Sequence, residues 1–233
     1  MSRRNKLQKF AEIADFNNVF ENKNASNPGI SDKNGEQIEL KGLWNSIIFK
    51  NNFPICLELA CGRGEYSLGL SDILSEKNYV GVDVKGARIW RGAKNAINTG
   101  KSNVVFLRSR IEQIDLFFDQ NEVSEIWIVF PDPFLKKGQE NRRLTAPNFL
   151  NLYKKIAKTG AKIHLKTDNE ALFDFTIKVL ESTQDIKIEE VISDVYEMTP
   201  IYPELAIKTY YERIHLKEGL SIKYVRFSFV DPI

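Results

Sequence analysis

Soft metal ligands are scarce in this chain. Its 233 residues include two cysteines, Cys56 and Cys61, and two widely separated histidines, His164 and His215. That is too few for a zinc site and gives no disulfide framework, so no metal is expected. Long apolar runs are also missing, and none approaches the ~20 residues that a membrane helix needs. The start, Met1-Ser2-Arg3-Arg4-Asn5-Lys6, is basic but has no apolar stretch behind it, so no secretory signal is expected. A reducing, cytoplasmic setting without membrane contact fits these absences, with Cys56 a small strand hydrophobe. No internal repeat is present.

What remains is ample for one core. Hydrophobic residues make up 42% and aromatics 11% of the chain, which suits one α/β domain with an N-terminal extension. Residues 1–50 read as that extension, partly mobile. Helix-like spacing at Leu7, Phe10, Ile13 and Ala14 precedes a stretch, 17–40, rich in Asn, Gly, Ser and charge, with Asn27-Pro28-Gly29 as a turn signal. From residue 51 onward a single domain is expected. Short apolar runs at 55–60, 79–84, 104–107, 125–130, 162–166, 186–192 and 222–229 read as strands. Helical spacing near 65–74, 87–97, 111–118, 147–157, 169–181 and 204–217 alternates with them. Such alternation means a Rossmann-like α/β fold: a mostly parallel sheet of seven strands, helices on both faces and an antiparallel last strand.

Three strand ends carry chemistry. Ile126-Trp127-Ile128-Val129 leads into Phe130-Pro131-Asp132-Pro133. Proline cannot donate to a sheet ladder and pushes its predecessor out of helical space, so the chain leaves the sheet here with Asp132 at the strand's carboxyl end. Ligands of open α/β sheets bind at those ends. A proline-rich turn capped by an Asp is the bland reading of the same residues. The second end is Glu58-x-Ala60-x-Gly62-x-Gly64, a tight turn between strand and helix. The third is Asp83, 19 residues past Gly64, where an acid grips ribose hydroxyls. A dinucleotide fingerprint wants a third glycine where Ser67 stands, and Glu65 would repel a pyrophosphate at the helix start. S-adenosyl-L-methionine has cationic amino and sulfonium groups that suit Glu58 and Asp132, so the sign of the charge favours that cofactor.

Net charge is only +2, but it is unevenly spread. From Lys136 to Lys166 nine Lys or Arg stand against one acid, Glu140, which leaves 24 bases against 30 acids elsewhere. A block with that surplus is an electrostatic footprint for phosphates. Lys154, Lys155 and Lys158, at helical spacing, also fit a plain charged helix face.

At this point the chain resembles the bacterial tRNA (guanine-N(7)-)-methyltransferases, class I S-adenosylmethionine-dependent enzymes. The matching residues span about 55–229: Leu57-Glu58-x-x-Cys61-Gly62-x-Gly64-Glu65, Val80-Gly81-Val82-Asp83-Val84-Lys85, Phe130-Pro131-Asp132-Pro133, Lys136-Lys137, Arg142-Arg143-Leu144-Thr145, Lys166-Thr167-Asp168-Asn169 and Thr209-Tyr210-Tyr211-Glu212. The first block is general to methyltransferases; the later ones in this order are specific. The resemblance implies that Glu58, Gly62, Gly64 and Asp83 hold S-adenosyl-L-methionine and that Asp132 sits at the reaction centre. It places Lys136, Asp168, Thr209 and Glu212 around a variable-loop guanosine of tRNA. It implies a tRNA-modifying, RNA-binding enzyme; the sequence is silent on whether it is a monomer or homodimer.

Alternatives stay open on the residues alone. Asp168 also suits a helix N-cap, Thr209 and Glu212 have capping-box spacing, and Lys136 also reads as a loop lysine. Val129, Phe134 and Arg110 depart from the family pattern, and Arg110 stands where an acid or amide contacts adenine, with Glu112 as a substitute. An RNA-binding module with a weakened cofactor site, a methyltransferase of another substrate, and a nicotinamide-dependent reductase are the rivals.

Overall fold

A computed structural model describes residues 5–197, 199 and 202–230; the basic start at residues 1–4 lies outside them. The chain opens with helix α1 (Lys6–Glu12), whose N-cap Asn5 exchanges hydrogen bonds with Gln8. Three short strands follow: β1 (Val19–Glu21), β2 (Ile30–Ser31) and β3 (Gln37–Ile38), then a π-helical turn at Trp44–Phe49. The alternating core comes next: β4 (Ile55–Leu59), α2 (Glu65–Ile73), β5 (Asn78–Asp83), α3 (Gly86–Asn98), β6 (Val104–Arg108) and, after a 3-10 turn at Ile111–Leu116, β7 (Val123–Val129). The second half comprises α4 (Pro147–Ile156), β8 (Ala157–Thr167), α5 (Glu170–Glu181), β9 (Ile186–Ile192), α6 (Tyr210–Lys217) and β10 (Lys223–Phe229).

All ten strands form one sheet in the order β3-β2-β1-β6-β5-β4-β7-β8-β10-β9. β4, β5, β6, β7 and β8 run parallel, and β10 is antiparallel to both β8 and β9, as expected. The expected count of seven is corrected to ten. The addition comes from residues 19–38, where strands of two or three residues among asparagines and glycines are too short to show period-2 alternation. β1 pairs parallel with β6 and thereby covers what would be an open edge. Its Glu21 forms a 2.7 Å ion pair with Arg108.

Every residue of β4 and β5 is buried, because helices cover both faces of the sheet. On one face α2, α3 and the 3-10 turn Ile13–Asp15 that follows α1 bury Ile13, Tyr66, Leu70, Ile89 and Ala93 against Val19, Phe106 and Trp127. On the other, α4 and α5 pack Phe149, Tyr153, Leu172 and Leu180 against Leu57, Ile126 and Ile163. His164 is structural. Its Nδ1 lies 2.8 Å from the Tyr224 hydroxyl and its ring stacks on Trp127 at 3.8 Å. Burial holds its pKa below the ordinary value, against the opposing pull of Glu125.

The predicted helix at 204–217 is two pieces, a 3-10 turn at Pro203–Ala206 and α6, because Thr209 caps the second. Chain direction reverses about β4: the path runs outward through β5 to β6, then returns to β7 on β4's other flank. A crevice opens at such a switch point, at the carboxyl ends of the strands. Gly64 lets α2 start there. It has φ +63°, and a Cβ on it would meet Phe106 Cε1 at 2.4 Å. Gly64→Ala is therefore expected to cost at least ~1–3 kcal/mol. A urea midpoint equal to that of the parent would contradict this packing.

Candidate functional site

Two adjoining cavities occupy the crevice. The larger, about 470 Å3, is lined among others by Asp83, Ser109, Arg110, Glu112, Asp132 and Arg142. The smaller, about 120 Å3, is lined among others by Glu58, Gly62, Glu65, Val129, Thr209 and Tyr211. Ala60, Arg88 and Phe130 border both. Together they have the size and the mixed apolar and polar lining of a small-molecule site.

The glycine turn and Asp83 form one unit. Gly62 and Gly64 hold φ of 55° and 63°, and Ala60 is forced to 57°. Asp83 Oδ2 accepts the Gly62 amide at 2.9 Å, and Oδ1 accepts the Lys85 amide at 2.7 Å. Backbone donors thus fix the carboxylate while each oxygen keeps lone pairs for another donor. Glu58 is buried on the smaller cavity. Its Oε2 accepts both the amide and the hydroxyl of Ser67. Burial pushes its carboxyl up to about 7, against the Ser67 hydrogen bonds. A buried acid so short of positive charge suits a cationic ligand.

Asp132 is exposed on the rim of the larger cavity. The backbone beneath it is strained: Phe130 has φ 49° and Phe134 φ 44°, each worth of order 1–3 kcal/mol. Two devices hold that loop. The Phe130 amide donates to the Lys166 carbonyl at 2.9 Å. Arg143 is buried, lies over the Phe175 ring, and donates to the carbonyls of Pro133 (2.9 Å) and Phe134 (3.3 Å).

The remaining predicted residues are less uniform. Thr209 borders the smaller cavity; Lys136, Asp168 and Glu212 border neither. Lys136 is exposed on the loop beyond Asp132. Asp168 Oδ1 lies 3.3 Å from His215 Nδ1, and the N-cap of α5 is Asn169, not Asp168. Thr209 and Glu212 do form the reciprocal capping box, at 3.2 Å in each direction. Glu212 is fully buried, 2.6 Å from the ammonium of Lys166, and accepts the Tyr196 hydroxyl at 2.7 Å. Sequence reading missed Arg88 and the clamping role of Arg143, since each depends on tertiary neighbours that no local pattern announces.

The basic block also needs correction. Arg143 and Lys166 are buried, Lys154 pairs with Asp185, and Lys155 pairs with Asp115. Lys158 and Lys162 are exposed at the amino end of β8, the pole opposite the cavities. Only Lys136, Lys137 and Arg142 remain near the rim, so residues 136–166 do not form one footprint.

Lys166 joins the two sides of the site. Its ammonium donates to the carbonyls of Leu205 (2.8 Å) and Ile207 (3.1 Å), just before the cap of α6. Burial lowers its pKa, opposed by Glu212. Removing one member of a buried pair leaves an uncompensated charge, at ~3–5 kcal/mol. Glu212→Gln is expected to lower Tm by on the order of 10 °C, read by thermal denaturation. An unshifted Tm would show that the pair does not carry this segment.

A family model described as "Putative methyltransferase" matches residues 52–225. A tRNA (guanine-N(7)-)-methyltransferase of Porphyromonas gingivalis is 47% identical over 83% of this chain and 78% of its own length. One from Christiangramia forsetii is 42% identical over 97% of this chain and 99% of its own. Among solved structures, a variant of the 16S rRNA (adenine(1408)-N(1))-methyltransferase from Catenulisporales acidiphilia, solved with cosubstrate SAM, is similar in fold. Its TM-score is 0.55 at 15% identity, covering 84% of this chain and 95% of that one. With the fold, the crevice and these matches together, the chain belongs to the tRNA (guanine-N(7)-)-methyltransferase family.

Proposed function

We propose that this protein transfers a methyl group from S-adenosylmethionine to nitrogen 7 of a variable-loop guanine in tRNA. The observation that carries the reading is the placement of Asp132. It stands on the cavity rim beside the carboxylate-lined smaller cavity, on backbone held in a strained form. Strain kept by its surroundings is a mark of functional loops.

The residues fit the cofactor. Asp83, fixed by two amides, suits ribose hydroxyls, and Glu58 suits the cationic amino group. When bound, S-adenosylmethionine supplies a methyl group on a positively charged sulfur. Guanine nitrogen 7 has a lone pair and no proton, so the protein needs no general base at that atom. Its task is alignment and charge. Asp132 holds the guanine edge, and its negative charge favours the base as that base becomes cationic. Thr209 and Tyr211 border the smaller cavity. Glu212 acts through the backbone of Thr209, which it caps. Lys136, outside the cavities, takes a phosphate.

The deciding experiment is mass spectrometry of nucleosides from tRNA incubated with the protein and cofactor. 7-Methylguanosine at a variable-loop position supports the reading, and its absence overturns it. Asp132→Ala is expected to lower turnover at least ~100-fold while tRNA binding persists; comparable turnover would remove Asp132 from the centre.

Glu58 generates a pH prediction. Its folded pKa, about 7, exceeds the ordinary 4.5. The free protein therefore loses stability as pH rises from about 4.5 to about 7, by on the order of 3 kcal/mol. A cation bound beside Glu58 favours the ionised form, so cofactor binding below about pH 7 should release a proton. Calorimetry in buffers of different ionisation enthalpy measures this. Release that fails to shrink toward about pH 9 would contradict it.

A further inference from the structure

We propose that α1 and α3 form a second RNA-backbone surface that runs into the site at Arg88; this rests on the tRNA reading above. Residues 5–15 and 85–98 contain six cations, Lys6, Lys9, Lys85, Arg88, Arg91 and Lys94, against two acids, Glu12 and Asp15. α3 itself contains no acid, and Arg88, Arg91 and Lys94 recur every third residue along one ridge. Like charges at that spacing weaken a helix slightly, so the ridge is not there for helix stability.

The two helices are joined face to face. Trp90 of α3 donates its indole N–H to Glu12 of α1 at 2.8 Å. The ammonium groups of Lys9 and Lys94 lie 5.1 and 4.9 Å from the same ring. Trp90 thus gathers cations from both helices, while Glu12 is occupied by the indole. Among the described residues none of the six cations is in an ion pair. The contrast with residues 136–166 is direct, because there Lys154, Lys155 and Lys166 are each neutralised by a carboxylate.

Position makes the surface useful. α3 begins at the carboxyl end of β5, and Arg88 borders both cavities, with Lys85 beside the larger one. Arg142 borders the larger cavity from the segment after β7, where Lys136 and Lys137 are also exposed. Cations therefore flank the site on two sides, so a polyanion presenting one base to the cavity would meet charge both before and after that base. RNA fits this arrangement. Phosphate contacts set register without reading sequence.

The test uses salt dependence. Affinity for tRNA is measured across salt concentrations for the full-length parent, for Arg91→Gln/Lys94→Gln, and for Lys158→Gln/Lys162→Gln, which removes equal charge at the opposite pole. Each lost phosphate contact reduces the log–log slope by roughly 0.7–0.9. The first variant is expected to lose about 1.4–1.8 from the slope, with cofactor affinity unchanged as a check on folding. The second should keep the parent slope. Equal slopes in all three, or equal loss in both variants, overturns the surface while parent methylation of tRNA leaves the functional reading standing. A parent that neither binds nor methylates tRNA overturns both. Anionic vesicles form a further arm, and binding to them through Arg91 and Lys94 with tRNA affinity unaltered also overturns the proposal.

Discussion

An ammonium group enclosed at the carboxyl end of β8 holds the site together. The main chain of Lys166 receives the amide of Phe130, the residue that aims the Asp132 loop. Its side chain grips Leu205, Ile207 and Glu212, which set the start of α6. The two walls of the crevice are therefore referenced to a single residue. The segment at 205–212 cannot drift from β8 without exposing a buried charge, and that cost is steep.

Charge is used differently at each depth. Deep in the smaller cavity Glu58 lacks a cation and is held near neutrality by burial. At mid-depth Asp83 is satisfied by backbone amides. Around the mouth, Lys85, Arg88 and Arg142 are in no ion pair among the described residues. A ligand with a positive centre inside and a polyanionic exterior matches that gradient, which is the physical core of the methyl-transfer reading.

Much of this was legible in the sequence. Buried strands such as Ile55–Leu59 announce themselves as apolar runs, and prolines at 131 and 133 mark where β7 must end. Gly62, Gly64 and Asp83 were legible because tight turns and strand ends impose residue type. Charge was not legible. Nine bases between Lys136 and Lys166 read as one patch, yet the fold sends Lys158 and Lys162 to one pole and buries Arg143 and Lys166. A helical ridge such as Arg88, Arg91 and Lys94 is visible as spacing, but only packing of α1 against α3 shows that it is unopposed. The roles of Thr209 and Glu212 were legible as a cap, and the partner Lys166 was not, since it lies 46 residues away from Glu212 in the chain.

The pairing of β1 has a consequence for timing. Val19 pairs with Phe106, which lies 87 residues later. Until β6 has formed, β1 has only the two-residue β2 to pair with, and long-range pairing of this kind is slow. Residues 19–21 thus join the parallel strands only once β6 is in place, as a clasp on segments that follow them in the chain.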